Sequence, residues 1–402
     1  MKPHYKILIL GAGTGGVSVA ARLAKKLSAQ DIAILDPAEN HYYQPLWTLS
    51  GAGLIPKQES ERAQRNVLPK GVHWVKESVT KLLPKSNEVE TDSGKRFSYD
   101  FLVIGLGLRL AWENIPGAKE SLGKNGVCTI YEYAQVDKTA QMLRSFSGGK
   151  AMFTMPPLPI KCAGAPQKIM YLADEIFRKK GVRDQSQVFF ATSGKAIFGI
   201  PVFAEALTKV VQEKNIELLT QHQLSSIDGE NKKAVFRITG PDGQVSEKEI
   251  AYDLIHVVPP MTAPQVVLES ELAEKKGDQK GWLSVDKFTL QHKHYENIFG
   301  IGDVTGVPNS KTGAAIRKQA PVVVENLLAV MEKRKPLAVY DGYSSCPLVT
   351  RVGKVILAEF GYDGKLLPSF PLNPAKERWS MWLLKRYFLP KLYWYGMLRG
   401  VA

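Results

Sequence analysis

Lys6-Ile7-Leu8-Ile9-Leu10-Gly11-Ala12-Gly13-Thr14-Gly15-Gly16 is the stretch that decides the fold. Its first five residues are a short, continuously apolar run, the pattern of a parallel strand buried on both faces. Gly11, Gly13 and Gly16 then fall in a G-x-G-x-x-G turn. In such a turn Gly11 permits the tight reversal, Gly13 lets a pyrophosphate approach the backbone, and Gly16 allows close helix–strand packing. A helical pattern over 17–27 follows. The helix N-terminus, reached through Thr14 and Gly15, presents free N–H groups and a partial positive charge to an anion. A second apolar run, Ile32-Ala33-Ile34-Leu35, stops at Asp36. That acid lies about 20 residues beyond the last glycine, where the ribose contact falls. Together these segments form a βαβ unit of about 30 residues, and the expected ligand is a dinucleotide.

The segments further along choose the kind of dinucleotide. Tyr99-Asp100-Phe101-Leu102-Val103-Ile104-Gly105-Leu106-Gly107 reads as another buried strand ending in a glycine turn, and it resembles the second signature of the FAD-binding flavoproteins. Asn297-Ile298-Phe299-Gly300-Ile301-Gly302-Asp303 resembles the third, in which an aspartate at a strand end contacts the ribityl chain. Lys311 and Thr312 then open a long helix to about residue 333, placing a positive helix end at the flavin N1–C2 edge. FAD is therefore the expected cofactor. Between these signatures, residues 118–282 carry their own strands, at 151–155, 188–191 and 254–258, with helices between them. The expected architecture is α/β with two Rossmann-like domains: 1–117 plus 283–336 for FAD, 118–282 for the second, which carries Cys162, and 337–402 as a C-terminal region with Cys346 and amphipathic helices.

Composition permits this division and narrows the partners. A chain of 402 residues exceeds what one core usually supports, and 44% hydrophobic with 23% charged residues is ordinary globular chemistry. The net charge of +14 favours an acidic partner: nucleic acid, anionic lipid or an anionic substrate. Three cysteines, Cys128, Cys162 and Cys346, without a C-x-x-C argue against a secreted disulfide framework and against zinc or iron–sulfur ligation, and no metal is expected. Met1-Lys2-Pro3-His4-Tyr5 runs straight into the first strand, which reads as a cytoplasmic start without a leader. No run of 18 apolar residues occurs, so membrane contact is expected to be peripheral.

The second domain departs from a nicotinamide site. Its first strand leads not into a glycine fingerprint but into Pro156-Pro157-Leu158-Pro159-Ile160-Lys161-Cys162-Ala163-Gly164-Ala165-Pro166. Prolines restrict φ and remove N–H donors, so this loop does not wrap a pyrophosphate in the usual way. Cys162 stands where a nicotinamide ring would have met the flavin. It also lies just ahead of a helix starting around Pro166, with Lys161 and Lys168 nearby, and both dipole and cations favour its thiolate. The bland alternative is a small buried hydrophobe.

The segments Lys161-Cys162-Ala163-Gly164-Ala165-Pro166-Gln167-Lys168, Gln44-Pro45-Leu46-Trp47-Thr48 and Ser345-Cys346-Pro347-Leu348-Val349-Thr350 resemble the sulfide:quinone oxidoreductases, most closely their mitochondrial-type branch. That resemblance covers nearly the whole chain. It implies that Cys162 and Cys346 form a redox pair bridged by a disulfide or an added sulfur. It further implies that hydrosulfide attacks at Cys346 and releases Cys162 as a thiolate, that electrons pass to FAD, and that the sulfur goes to glutathione, sulfite or polysulfide. Gln44 joins the cofactor candidates. Lys168 and Lys385 match family lysines that attract the anion, and each can equally be a solvated charge. Cys128 departs from the mitochondrial-type pattern and is similar to the third cysteine of bacterial members, while Val127-Cys128-Thr129-Ile130 also reads as a plain buried strand.

The end of the chain crowds Trp379, Trp382, Tyr387, Phe388, Tyr393, Trp394 and Tyr395 among Lys376, Arg378, Lys385, Arg386, Lys391 and Arg399. That is the composition of a helix in the bilayer interface, with Trp379, Trp382, Leu383 and Tyr387 at helical spacing and Pro390 breaking the run. The alternative is that these rings pack on the FAD domain. The expected partners are thus sulfide, a membrane quinone (ubiquinone or menaquinone) and the lipid surface, with no nucleic acid. The expected location is the cytoplasmic face of a bacterial inner membrane, or the mitochondrial inner membrane in a eukaryote. Competing readings are a type II NADH:quinone oxidoreductase, which needs the missing second fingerprint, and a pyridine nucleotide–disulfide reductase, which needs a close C-x-x-x-x-C pair. A sulfide dehydrogenase would be exported. A non-catalytic flavoprotein bound to membrane or nucleic acid leaves the Cys162 loop unexplained.

Overall fold

The structure, a computed structural model, describes residues 3–402; Met1 and Lys2, where the leader-free start was read, lie outside the described residues. Strand His4–Leu10 is central in a seven-stranded sheet ordered His73–Val75, Ile32–Leu35, His4–Leu10, Arg96–Ile104, Glu88–Thr91, Val79–Leu83 along its main path. Ile7, Leu8, Ile9 and Leu10 pair in parallel with Ile32 to Leu35 on one side and with Phe101 to Ile104 on the other. All four are fully buried, which is why their run shows no polar alternation. Arg96–Ile104 serves two partners on its far edge: its first part pairs antiparallel with Glu88–Thr91, its last part parallel with Ile298–Gly300. The late signature therefore rejoins the first sheet after the second has been built.

The helix after the glycine turn is Thr14–Leu23, beginning at the turn itself and ending before the lysines at 25 and 26. There the backbone tightens, Lys25 N–H bonding Arg22 O and Lys26 N–H bonding Leu23 O at 3.3 and 2.9 Å, as frayed helix ends do. The second sheet is all parallel, ordered Val127–Cys128, Leu254–His256, Gly149–Met155, Ser186–Thr192, Glu217–Leu219. A three-stranded antiparallel sheet over His222–Ala251 flanks it. Two Rossmann-like sheets thus stand side by side, and a hairpin, Ser344–Arg351 with Lys354–Phe360, connects to the C-terminal helices.

Those helices depart from the expected break at Pro390. Trp379–Leu383 continues through a π-turn, Leu384–Phe388, a short α-turn, Leu389–Lys391, and a second π-turn, Leu392–Gly396. A proline inside a regular α-helix lacks a donor and clashes with the preceding turn; here it is the middle residue of a three-residue α-turn between two wide turns, where the regular ladder is already interrupted. Among the described residues no helix is long and apolar enough to cross a membrane.

Candidate active site

A cavity of about 470 Å³ opens between the two sheets and the hairpin. On the first-sheet side its wall holds Gly13, Thr14, Asp36 and Gln44. Space for a phosphate is built into the turn: a Cβ on Gly13 would meet nothing within 4 Å. A Cβ on Gly16 would lie 1.8 Å from Gly11 O, so Gly16 closes backbone against backbone and Gly13 keeps the cradle open. Asp36 braces the turn, its carboxylate accepting the Ala12 and Ala38 N–H groups at 2.6 and 2.8 Å.

Not every glycine candidate reaches the cavity. Gly11, Gly15, Gly16, Gly105 and Gly107 are absent from its wall. Gly105 N–H donates to Leu10 O at 2.8 Å, and its missing Cβ leaves room for Ile301. Gly107 holds φ +69° just beyond the strand end. Gly105 thus makes room for a side chain, while the space beside Gly107, like that beside Gly13, is open.

Asp303, Lys311 and Thr312 do line the cavity, with one difference. The Lys311 ammonium donates to Asp303 O and Thr305 O at 2.7 and 3.0 Å and sits 3.8 Å over the Trp282 ring. These carbonyls anchor the ammonium at the cavity wall, and beside it the cavity receives the N-terminus of helix Gly313–Met331, capped by the Thr312 side chain accepting Ala315 N–H. Burial holds the Lys311 ammonium down to about 8.

The proline loop carries its cysteine into the same space. Cys162 N–H donates to Lys311 O at 2.9 Å, Lys161 forms a bridge with Lys311, and Ala165 N–H returns to Cys162 O at 2.8 Å. This pins Cys162 at φ +50°, left-handed backbone that costs a non-glycine residue about 1–3 kcal/mol and is met where function over-determines geometry. From the hairpin comes Cys346, whose Sγ lies 3.8 Å from that of Cys162 although 184 residues separate them. Helix Ala165–Lys179 starts at once, with Pro166 in its first turn.

Two lysines face the pair. Lys168 is 2% exposed, its ammonium 3.2 Å from Cys162 Sγ and 4.0 Å from Cys346 Sγ. Lys385, 3% exposed, reaches in from the C-terminal helix and is held by Pro45 O at 3.1 Å. Neither is a solvated charge. In the reduced pair the hydrogen bond from Cys346, opposed by burial and aided by the Lys168 ammonium, holds the Cys162 thiol well below its ordinary range. Cys346 is correspondingly pushed up. Burial, then the like charge of Lys168, brings the Lys385 ammonium down to about 7.

Cys128 is not brought to this pair. It is buried in its strand opposite His256, absent from the cavity wall, and burial pushes its thiol up to about 12. A thiol so held is a poor nucleophile at neutral pH.

Gly164 carried no sequence signal of its own. A Cβ there would lie 2.4 Å from both Cys346 Sγ and Leu348 Cδ2, so only glycine lets the hairpin approach the Cys162 loop. Gly164→Ala should cost about 1–3 kcal/mol and separate the sulfurs. A lower Tm together with slower oxidation of the reduced pair would show it; unchanged pair oxidation would refute it.

The aromatic tail divides between the two expectations. Tyr393 and Trp394 are buried: the Tyr393 hydroxyl meets His41 Nε2 at 2.6 Å and Thr14 Oγ1 at 2.8 Å, and its ring lies 4.4 Å from that of Tyr43. Trp379, Tyr387 and Phe388 are 60%, 55% and 55% exposed. His41 and Tyr43, from a strand–turn with no motif, were legible only once the tail was seen on them.

The sequence profile of the pyridine nucleotide-disulphide oxidoreductases matches residues 5–144. The chain is 43% identical to the mitochondrial sulfide:quinone oxidoreductase of Mus musculus over 399 residues, 99% of this chain and 87% of that protein. It is 44% identical to the mitochondrial sulfide:quinone oxidoreductase of Dictyostelium discoideum over 402 residues, 100% of this chain and 87% of that protein. Among solved structures, the sulfide:quinone oxidoreductase of the hyperthermophilic bacterium Aquifex aeolicus superposes with a TM-score of 0.82 at 20% identity, covering 100% of this chain and 93% of that one. At that identity the likeness shows a shared fold.

Proposed function

Because the chain belongs to the sulfide:quinone oxidoreductase family, we propose that it oxidises sulfide at Cys162 and Cys346 and passes the electrons through FAD to a membrane quinone. The observation that carries this reading is the approach of the two sulfurs to 3.8 Å beside a buried lysine. With the pair joined as a disulfide, hydrosulfide attacks Cys346 Sγ, one S–S bond forms as the other breaks, and Cys162 leaves as a thiolate stabilised by Lys168. A sulfur acceptor, which we take to be glutathione, sulfite or polysulfide, removes the outer sulfur from the Cys346 persulfide and leaves a second thiolate. The two sulfurs then rejoin as two electrons leave. FAD, when bound, accepts that electron pair and hands it to the quinone. The residues present fit it: Gly13, Thr14 and Asp36 at the pyrophosphate and ribose, Gln44 nearby, Asp303, Thr312 and the helix N-terminus at Gly313 toward the ring system.

The test is an anaerobic flavin absorbance trace of the purified protein. Sulfide should bleach it and a soluble quinone should restore it. Bleaching by NADH instead would overturn this reading in favour of an NADH:quinone oxidoreductase. Filling the open cradle tests the cofactor separately. Gly13→Val should yield folded protein without bound flavin, seen as unchanged circular dichroism with no yellow absorbance; retention of flavin would exclude this turn as its site.

We further propose that exposed Trp379, Tyr387 and Phe388 seat the protein peripherally on a bilayer, at the cytoplasmic face of a bacterial inner membrane or on the mitochondrial inner membrane. Rings of this kind rest at headgroup depth. The triple alanine variant should co-sediment with anionic liposomes at least about tenfold more weakly, and equal co-sedimentation would disprove the assignment. The functional division we favour is 1–117 with 283–336 for FAD, 118–282 for Cys162, and 337–402 for Cys346 and the quinone.

A further inference from the structure

The hairpin that presents Cys346 has a second face. Ser345 pairs with Glu359 and Pro347 with Leu357, and all four line the central cavity. Because side chains alternate along a strand, they stand on the face opposite Cys346. Glu359 is 4% exposed, and a buried acid is rare without a cation partner. Its oxygens are held instead by the Tyr343 hydroxyl at 2.5 Å, the Ser369 N–H at 2.8 Å and the Ser369 hydroxyl at 2.6 Å. Two of these three partners are hydroxyls, which both donate and accept and so can pass a proton on.

Glu359 also lines a small outer pocket with Pro368, Phe370, Lys376 and Arg378, of which Pro368, Phe370 and Lys376 are exposed. Its carboxyl therefore stands in the wall between the central cavity and the protein surface. The charged groups around it are Lys376 and Arg378 on the outer side, and Arg317 and Lys318, which lie 5.8 and 5.6 Å over the Tyr343 ring.

Resting on the sulfide:quinone reading above, we propose that Glu359, with Tyr343, is the proton entry for quinone reduction. A quinone becomes a quinol by gaining two electrons and two protons. The cofactor, when bound and reduced by that electron pair with uptake of one proton from solvent, would supply both electrons and one of the protons. The second proton passes from the Glu359 carboxyl, directly or through the Tyr343 hydroxyl, to a quinone oxygen. The carboxylate left behind regains a proton from solvent through the outer pocket. This path places proton uptake on the face of the hairpin opposite Cys346.

The experiment uses the flavin-loaded enzyme and follows the two half-reactions separately. In Glu359→Gln, sulfide should bleach the flavin at the wild-type rate, while reoxidation by a water-soluble quinone should slow by about 100-fold or more. Reoxidation by ferricyanide, which takes electrons without protons, should be unaffected. Glu359→Asp should recover part of the quinone rate. Tyr343→Phe, which keeps the ring, should slow the quinone step alone and so provides a second test should the Gln variant fold poorly. Infrared difference spectra between oxidised and reduced wild type should contain a carboxyl band that Glu359→Gln lacks. Wild-type quinone reoxidation in Glu359→Gln, equal slowing with ferricyanide, or no missing carboxyl band would each overturn the proposal. Failure of sulfide to bleach the wild-type enzyme would instead overturn the functional reading, and the proposal with it.

Discussion

Cys162→Ser should give a folded, yellow protein that sulfide no longer bleaches, with sulfide-dependent quinone reduction lowered by on the order of 10⁴-fold or more, as when a covalent nucleophile is removed. Serine is close to cysteine in size, so the loop held by Lys311 O and Ala165 N–H keeps its path and the left-handed backbone at Cys162 is unchanged. What disappears is the sulfur that leaves as a thiolate. Cys346→Ser should be equally inactive, because the bridge needs both atoms. Cys128→Ser should retain sulfide bleaching, since that thiol is absent from the cavity wall and pushed up to about 12 by burial. The decisive measurement is the anaerobic trace on all three variants. Residual bleaching in Cys162→Ser at more than a few per cent of the wild-type rate would show that sulfide reduces the flavin without the pair.

The second large effect concerns Lys168. Its ammonium, 3.2 Å from Cys162 Sγ, acts after the Cys346 hydrogen bond among the causes that hold Cys162 below the ordinary thiol range. Lys168→Met removes the cation but keeps the volume in the helix. The sign follows directly: the charged form of Cys162 loses its counter-ion, its proton is held more tightly, and thiolate formation moves to higher pH. A charge this close shifts a neighbour by about 1–3 pH units, so the titration of the Cys162 thiolate in the reduced pair should move up the pH scale by about that amount. Lys385, held down to about 7 by burial and then by Lys168, would recover its proton once the like charge is gone and offset part of the loss. The double variant Lys168→Met/Lys385→Met should therefore shift further than Lys168→Met alone. Thiolate absorbance of the reduced protein, titrated with pH, measures both; a curve unmoved by Lys168→Met would remove the lysine from the account.

The glycine turn was legible because its determinants are local. The turn at Gly11 to Gly16 needs positive φ at Gly11, closed packing at Gly16 and open space at Gly13, and each requirement marks the sequence where it acts. Gly105 and Gly107 show the limit of such reading, since turn glycines look alike in sequence whether the missing Cβ makes room for a side chain, as at Gly105 beside Ile301, or leaves open space, as at Gly107. Lys311 shows it too, because its position at a helix mouth did not reveal that its ammonium turns back to Asp303 O and Thr305 O. The expected break at Pro390 failed for a related reason: the penalty for proline depends on which turn surrounds it, and of the π-turns on either side the second packs its Tyr393 against Thr14 and His41.

By itself, the sequence determined the two Rossmann-like sheets, the glycine cradle and the missing second fingerprint, all of which depend on residues within a few turns of one another. The partnership of Cys162 with Cys346 was available there only through resemblance. Its geometry was decided by tertiary structure: a hairpin brought against a loop through the gap at Gly164, with Lys385 arriving from a third segment. The burial of Glu359 between two cavities was decided in the same way. An acid's neighbours, a lysine's solvation and a sulfur's distance from another sulfur are properties of surfaces meeting in space, and chain segments far apart in sequence acquire them only when those surfaces pack.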